Sequence, residues 1–362
     1  MGKLLSAVTI LLAATQTVSA ACTNPSIRKP WTALTEGQRS SYVNATLCLM
    51  DPEQAPAKVG SWGAKSRWEE LLVAHVAQVR FIHTVGALFP WHRWYTKIHE
   101  DLLRNECGYT GPYPYWDEQA DQALRLIEHA SVWDRPAANT SAVAAFGTGR
   151  TDENNCVLDG AFTEYRLEIT TQLERVQPGT CLTRGLNQTA FDTVSYKNIV
   201  EPCMAVESDD YAEMLNCLGN TPHSGGHLGV GGIVSCSQNS WKSGKARKRW
   251  TDLLQMRDQA RSPADPIFWL HHTNFDRLWW EWQAANLSTR LYAMGGPNVA
   301  TAQVFIDIQP TILPIESFVP HFGDGGNVTT LNHVLWMPGL AENATIRDLM
   351  DIRSEFLCFE YA

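Results

Sequence analysis

Residues 265–282 read DPIFWLHHTNFDRLWWEW. The run is helical in pattern from about Pro266 to Ala285, rich in tryptophan, and carries two adjacent histidines, His271 and His272. A second aromatic helical region runs from about Trp68 to Arg80. It breaks across Gly86 and Pro90 and resumes from Trp91 to Asn105. Two such regions predict a mainly α fold. Polar stretches at Ala137–Asn155 and Gln177–Gln188 read as long surface loops carrying cysteines. Short β-branched runs between Thr301 and Leu335, such as Val304 to Ile308, predict a few short strands.

Working outward, the histidines fall into groups. His75, His83 and His92 lie in the first aromatic region, eight and nine residues apart, and His223 and His227 lie four apart in TPHSGGH. Two histidines at i and i+4 share one helix face, the usual way to offer two imidazoles to one metal. Thr221 and Pro222 are well suited to cap and begin that helix. On one unbroken helix, His75, His83 and His92 would not all face inward, because a nine-residue step turns the side chain half-way round. A break at Gly86 and Pro90 removes the difficulty. Two triads result: His75, His83 and His92; and His223, His227 with either His271 or His272. His99, His129, His321 and His333 read as ordinary structural histidines.

Six apolar-flanked imidazoles have no simple structural use, since neutral rings are costly to bury unpaired. Neither triad contains the bridging carboxylate that a two-metal hydrolase would want. Imidazole suits copper, which tops the divalent affinity order. The expected cofactor is therefore a pair of copper ions, one per triad.

Four segments carry a family resemblance: HVAQVRFIH with FPWHRWY, PHSGGHLGVGG, the 265–282 run, and NECGYTGPYPYWDE at 105–118. They resemble the copper A and copper B motifs of the tyrosinase and catechol oxidase (polyphenol oxidase) family, short secreted fungal type. The match extends over roughly Cys22 to Tyr361. Resemblance implies a four-helix bundle around a dinuclear copper centre, with O2 as co-substrate and a small phenol as substrate. It places copper A on His75, His83 and His92, and copper B on His223, His227 and His272, with His271 beside the site.

Departures from the family pattern sharpen the expected activity. Phe81 stands where many members have a cysteine joined to the middle copper A ligand, so no such crosslink is expected. Ser224 follows His223 where monophenol-hydroxylating members commonly have Asn, and Gly219 falls where their Glu would be. Without that carboxylate a water held there is a weak base. The expected reaction is oxidation of o-diphenols to o-quinones with weak or absent monophenol hydroxylation. A true tyrosinase, an o-aminophenol oxidase and a haemocyanin-like O2 carrier are the alternatives. Gln259 falls on the family's substrate-gate position, with Arg261 nearby as an attractor of acidic substrates. Arg93 and Asp276 read as buried ion-pair partners.

Composition bounds the rest. The 362 residues are 44% hydrophobic and carry net charge −9, which favours a large core and argues against nucleic acid or an anionic membrane as partner. Lys3, an apolar run to Ala14 and Val18-Ser19-Ala20 predict a signal peptide over 1–20 and a secreted protein. Sequons at Asn44, Asn139, Asn187, Asn286, Asn327 and Asn343 predict a glycoprotein, and nine cysteines predict disulfides with one thiol left over. Lys242, Lys245, Arg247, Lys248 and Arg249 read as a solvated basic patch. Residues 21–362 are expected to form a single catalytic domain that ends on Phe359-Glu360-Tyr361 without a C-terminal shielding domain. Monomer and dimer are both compatible with the sequence.

Overall fold

The computed structural model describes residues 22–133, 145–205, 209–231, 255–300 and 324–362. Its helices are α1 (Glu36–Met50), α2 (Arg67–Ile82), α3 (Leu88–Cys107), α4 (Glu118–Leu124), α5 (Gln188–Phe191), α6 (Glu201–Met204), α7 (Tyr211–Gly231), α8 (Ile267–Ala285) and α9 (Leu287–Arg290). The strands are short: β1 (Ser26–Pro30), β2 (Tyr113–Tyr115), β3 (Arg166–Ile169), β4 (Arg175–Cys181), β5 (Val334–Met337), β6 (Ala341–Thr345) and β7 (Phe359–Tyr361). The architecture is mainly α, with α2, α3, α7 and α8 gathered around the histidines.

Local signals explain the central helices. Ser66 caps α2 by accepting from Glu69 N, and Glu69 and Glu70 in the first turn favour its positive end. Almost every α2 side chain is buried, so this helix is the centre of the bundle. It ends at Ile82. His83 and Thr84 then leave the helix, Thr84 at φ +53°, and the chain reverses into α3. Gly86 belongs to this reversal, because a Cβ there would overlap Gly295 O and Thr329. Pro90 does not break the helix as expected. It is the third residue of α3, where a missing N–H costs no helical bond.

The expected start of the second histidine helix at Pro222 is also corrected. Helix α7 begins eleven residues earlier, and Pro222 lies inside it. One missing bond to Leu218 and a ring clash cost about 3 kcal/mol. Burial of Met214, Leu215 and Leu218 on the preceding turns, at about 1.5–3 kcal/mol each, outweighs that. The Cys203–Cys217 disulfide pins the same stretch.

Aromatic packing ties α3 to α8. Trp269 stacks on His99 with centroids 3.9 Å apart, and Phe89 stacks on Phe275 at 5.3 Å. A parallel sheet in the order β2-β1-β7 joins the two ends of the described chain, reinforced by Cys22–Cys358. Beneath it, Arg28 reaches Glu100 at 3.2 Å and Asp276 at 3.2 Å, and Tyr361 Oη donates to Asp276 at 2.5 Å. Arg93 pairs with the other Asp276 oxygen, as the sequence predicts. The aromatic-x-Tyr motif thus closes a buried ion network under α8.

Cys48–Cys107 and Cys156–Cys181 complete four disulfides among the described residues. Part of the expected loop at Gln177–Gln188 is strand, because β4 pairs with β3 up to Cys181. The expected signal peptide (residues 1–20), Asn139, Cys236, the basic patch, His321 and the Val304–Ile308 run lie outside the described residues. Among the described residues no helix is long and apolar enough to cross a membrane.

Candidate metal centre and substrate pocket

Three histidines converge from α2, its C-terminus and α3. The ring centroids of His75, His83 and His92 are 5.0, 5.4 and 5.6 Å apart, and all three are buried. His83 joins the group because the helix has ended and its backbone is extended. Each Nδ1–H donates to a main-chain carbonyl: His75 to Ala260 at 2.8 Å, His83 to Val79 at 2.8 Å and His92 to Leu88 at 2.8 Å. Those bonds fix the tautomer and leave the lone pair on Nε2, as a metal-binding imidazole requires. Phe81 is buried on the turn before His83, so the ring is held by its carbonyl bond to Val79 with no cysteine beside it.

The second group comes from α7 and α8. His223 donates to Gly219 O at 3.2 Å and His227 to Met256 O at 2.9 Å. The Nε2 atoms of His227 and His272 are 3.1 Å apart. His271 and His272 both enter this cluster, whose donor atoms lie within 4.8 Å of one another. The two groups face each other, since His92 stacks on His272 with centroids 4.3 Å apart.

The donors fit a metal. Nε2 of His75, His92 and His223 is buried without a hydrogen-bond partner, each at a cost of about 1–3 kcal/mol unless a ligand satisfies it. Burial pushes the six rings of the two triads below the usual histidine range, His83 to about 4, so they are neutral donors. Neutral nitrogen donors without a carboxylate suit copper.

His271 is held differently. Its Nδ1 lies 2.6 Å from Glu118 Oε1, both groups fully buried. Burial raises Glu118 well above the carboxylate range and lowers His271 to about 3, so both are neutral. The contact holds the His271 ring against α4, and its Nε2, like those of His75, His92 and His223, is buried without a hydrogen-bond partner. Gly226 makes room for this pair: a Cβ there would overlap His271 Nδ1 and stand 2.6 Å from Glu118 Oε1. The run of glycines between His223 and His227 is therefore a packing requirement.

A cavity of about 210 Å3 opens over the histidines, with His83, His223 and His227 in its lining. Leu88, Leu215, Leu228 and Met256 form apolar walls, and Thr84, Asn216, Asn220 and Gln259 stand exposed at the rim. Ser224 and Gly219 line it as expected, and no carboxylate does among the described residues. Gln259, expected at the gate, lines the cavity at its exposed rim. Arg261 does not. It is buried and bound to Asp258 at 2.6 Å, outside the cavity lining. Arg257 lines the cavity instead.

His99 bonds Tyr113 Oη at 2.7 Å, and His129 and His333 pair with Glu128 and Asp324, consistent with structural roles. Sequence reasoning missed Glu118, Arg257 and Phe268, whose ring is 4.1 Å from His272. Glu118 closes the quoted YWDE segment, the one signal available. Phe268 lay inside the quoted 265–282 run, four residues before His272, and Arg257 carried no signal.

Residues 65–285 match the family described as the common central domain of tyrosinase. The chain belongs to the tyrosinase family. Among curated relatives, this tyrosinase-family chain is 26% identical over 351 residues to the tyrosinase-like protein phomQ1 of Diaporthe leptostromiformis, covering 94% of this chain and 78% of that protein. It is 28% identical over 326 residues to the tyrosinase-like protein orsC of Emericella nidulans, covering 76% and 79%. It is 25% identical over 408 residues to the N-acetyl-6-hydroxytryptophan oxidase ivoB of Emericella nidulans, covering 100% and 98%. A polyphenol oxidase structure from Thermothelomyces thermophila has the same fold, with a TM-score of 0.62 at 21% identity over 93% of this chain and 89% of that one. Tyrosinase-family membership implies a dinuclear copper site, and the two histidine groups are consistent with it.

Proposed function

We propose that this tyrosinase-family chain oxidises o-diphenols to o-quinones with O2, and that its monophenol hydroxylation is weak or absent. His75, His83 and His92 would hold one copper ion, and His223, His227 and His272 the other. The observation that carries this reading is the set of orphaned Nε2 atoms under a cavity that no carboxylate lines among the described residues. Two copper ions held there would supply the redox chemistry that couples oxidation of the diol to reduction of O2. In the balanced reaction, two diols lose four electrons and four protons to one O2, giving two quinones and two waters.

The protein's own residues orient and exclude. Main-chain carbonyls of Ala260, Val79, Leu88, Gly219 and Met256 aim five rings. His272 is preferred over His271 because its Nε2 stands 3.1 Å from His227 Nε2, so the two rings would share one ion. Leucine walls give the cavity an apolar lining suited to a flat ring. Ser224 and the amides of Asn216 and Asn220 can hold a water, but none accepts a proton at neutral pH. A monophenol must lose its proton before it is hydroxylated, so the missing base weakens that reaction most.

A true tyrosinase or o-aminophenol oxidase differs in substrate, whereas a haemocyanin-like carrier would plug the cavity. The open path to His83, His223 and His227 favours the enzyme. Copper quantitation followed by catechol turnover tests the reading. Two bound copper ions without catechol turnover would favour the carrier.

Secretion and glycosylation belong to the same proposal. Four disulfides support an oxidising compartment, and the sequon residues Asn44, Asn286, Asn327 and Asn343 are exposed. A mass shift on enzymatic deglycosylation tests it.

A further inference from the structure

The two histidine groups are held unequally. In the first, all three rings donate to main-chain carbonyls at 2.8 Å. In the second, the His223 bond to Gly219 O is 3.2 Å long and His227 bonds Met256 O at 2.9 Å. No carbonyl bond holds His272 among the described residues. The main chain therefore fixes the second group less firmly. His271 stands where that support is missing. Its ring lies face-on to His223, with centroids 5.5 Å apart and planes inclined by 17°, and edge-on to His227 at 4.6 Å and His272 at 5.0 Å. Glu118 in turn fixes the His271 ring through the 2.6 Å contact to Nδ1. The segment that carries Glu118 is tied to α8 on both sides of His271. Trp116 N donates to Leu270 O at 3.1 Å, and Asn274 Nδ2 donates to Gln119 Oε1 at 2.9 Å. Gly226, between the two α7 histidines, lets their helix close on the pair.

We infer that Glu118 and His271 are positioning residues for the metal ion of the second group. Glu118 locks the His271 ring, and that ring keeps His223, His227 and His272 in place before the ion arrives. The inference rests on the two-copper part of the reading above and concerns affinity at one group, not the oxidation that follows. Partners outside the ligand set are worth about 10–100-fold in metal affinity. The first group, with three short carbonyl bonds of its own, does not depend on this pair.

The test titrates metal-free protein with Cu(II) against a competing chelator and records the electron paramagnetic resonance of the bound ion. In H83A the one complete group is the second, and in H272A it is the first. On the H83A background, E118A should weaken Cu(II) binding about ten-fold or more and change the copper hyperfine splitting. H271A should do the same, and E118Q should recover most of the affinity. The double variant E118A/H271A should bind no more weakly than either single one, because Glu118 acts through His271. On the H272A background, E118A should leave affinity and spectrum unchanged. With both groups intact and copper in excess, E118A and H271A should still take up two ions per chain. A purely structural Glu118 would weaken both groups alike, in step with folding stability. Wild type brought to the same stability with urea supplies that comparison, and a match to it overturns the inference. So does unchanged affinity in E118A, or a further loss when E118A is added to H271A. If H271A holds only one ion in excess copper, His271 is a ligand and the positioning role falls. Catechol oxidation is judged apart. Two bound ions without turnover would sink the oxidase reading and leave this inference standing, whereas a wild type that binds no copper would end both.

Discussion

Glu118 Oε1 and His271 Nδ1 meet 2.6 Å apart in a space closed to solvent, and Gly226 of α7 leaves room for them. The pair connects α4, at the end of the YWDE segment, to the histidines of α8. Replacing Glu118 by Ala strands Nδ1 and should cost about 1–3 kcal/mol in urea denaturation of the metal-free protein. Glu118→Gln keeps a hydrogen-bonding amide facing Nδ1 and should retain most of the stability. Equal losses in the two variants would show that the pairing is not what Glu118 contributes.

The proposed assignment makes His272, not its neighbour His271, the copper ligand. His272→Ala should lower bound copper from two ions per chain to one, and His271→Ala should leave two. Copper quantitation on the purified variants checks this. Loss confined to His271→Ala would exchange the two assignments.

Asp276 sits between two buried arginines, bonding Arg28 through one oxygen and Arg93 through the other. Asp276→Ala leaves both cations without that partner, and should destabilise by about 3–5 kcal/mol. Chemical denaturation measures it. A loss below about 1 kcal/mol, the scale of an exposed ion pair, would contradict the structural role.

Acid should weaken the metal-free protein. The buried rings are neutral in the fold, with His83 lowered to about 4 and His271 to about 3 from 6.5. Below pH 6.5 the unfolded chain takes up protons that the folded chain refuses, so stability is full above 6.5 and is lost as pH falls toward 4 and 3. Glu118, raised by burial, works in the opposite direction above its ordinary 4.5, but it is one group against several histidines. Denaturation midpoints across that interval should fall with pH. A flat profile would contradict neutral burial.

How much of this was legible depended on whether the signal was local. The i, i+4 spacing of His223 and His227 and the aromatic run around His272 are periodic, so the helices and both histidine groups could be read from the chain. Pro222 and Pro90 misled, because a proline's local cost was weighed without the burial of Met214, Leu215 and Leu218 on one helix or the free N–H positions at the start of the other. Arg261 looked like a substrate attractor until Asp258 was seen beside it, and Arg257 had no periodic or spacing signal. Which of two nearby arginines stays unpaired is decided by tertiary contacts alone.

The most direct test is O2 uptake by the copper-loaded protein with 4-methylcatechol, p-cresol and 2-aminophenol in parallel. The account predicts prompt, copper-dependent uptake with the catechol and slow or absent uptake with p-cresol. No uptake with the catechol, uptake confined to 2-aminophenol, or p-cresol turnover as fast and without a lag, would contradict it.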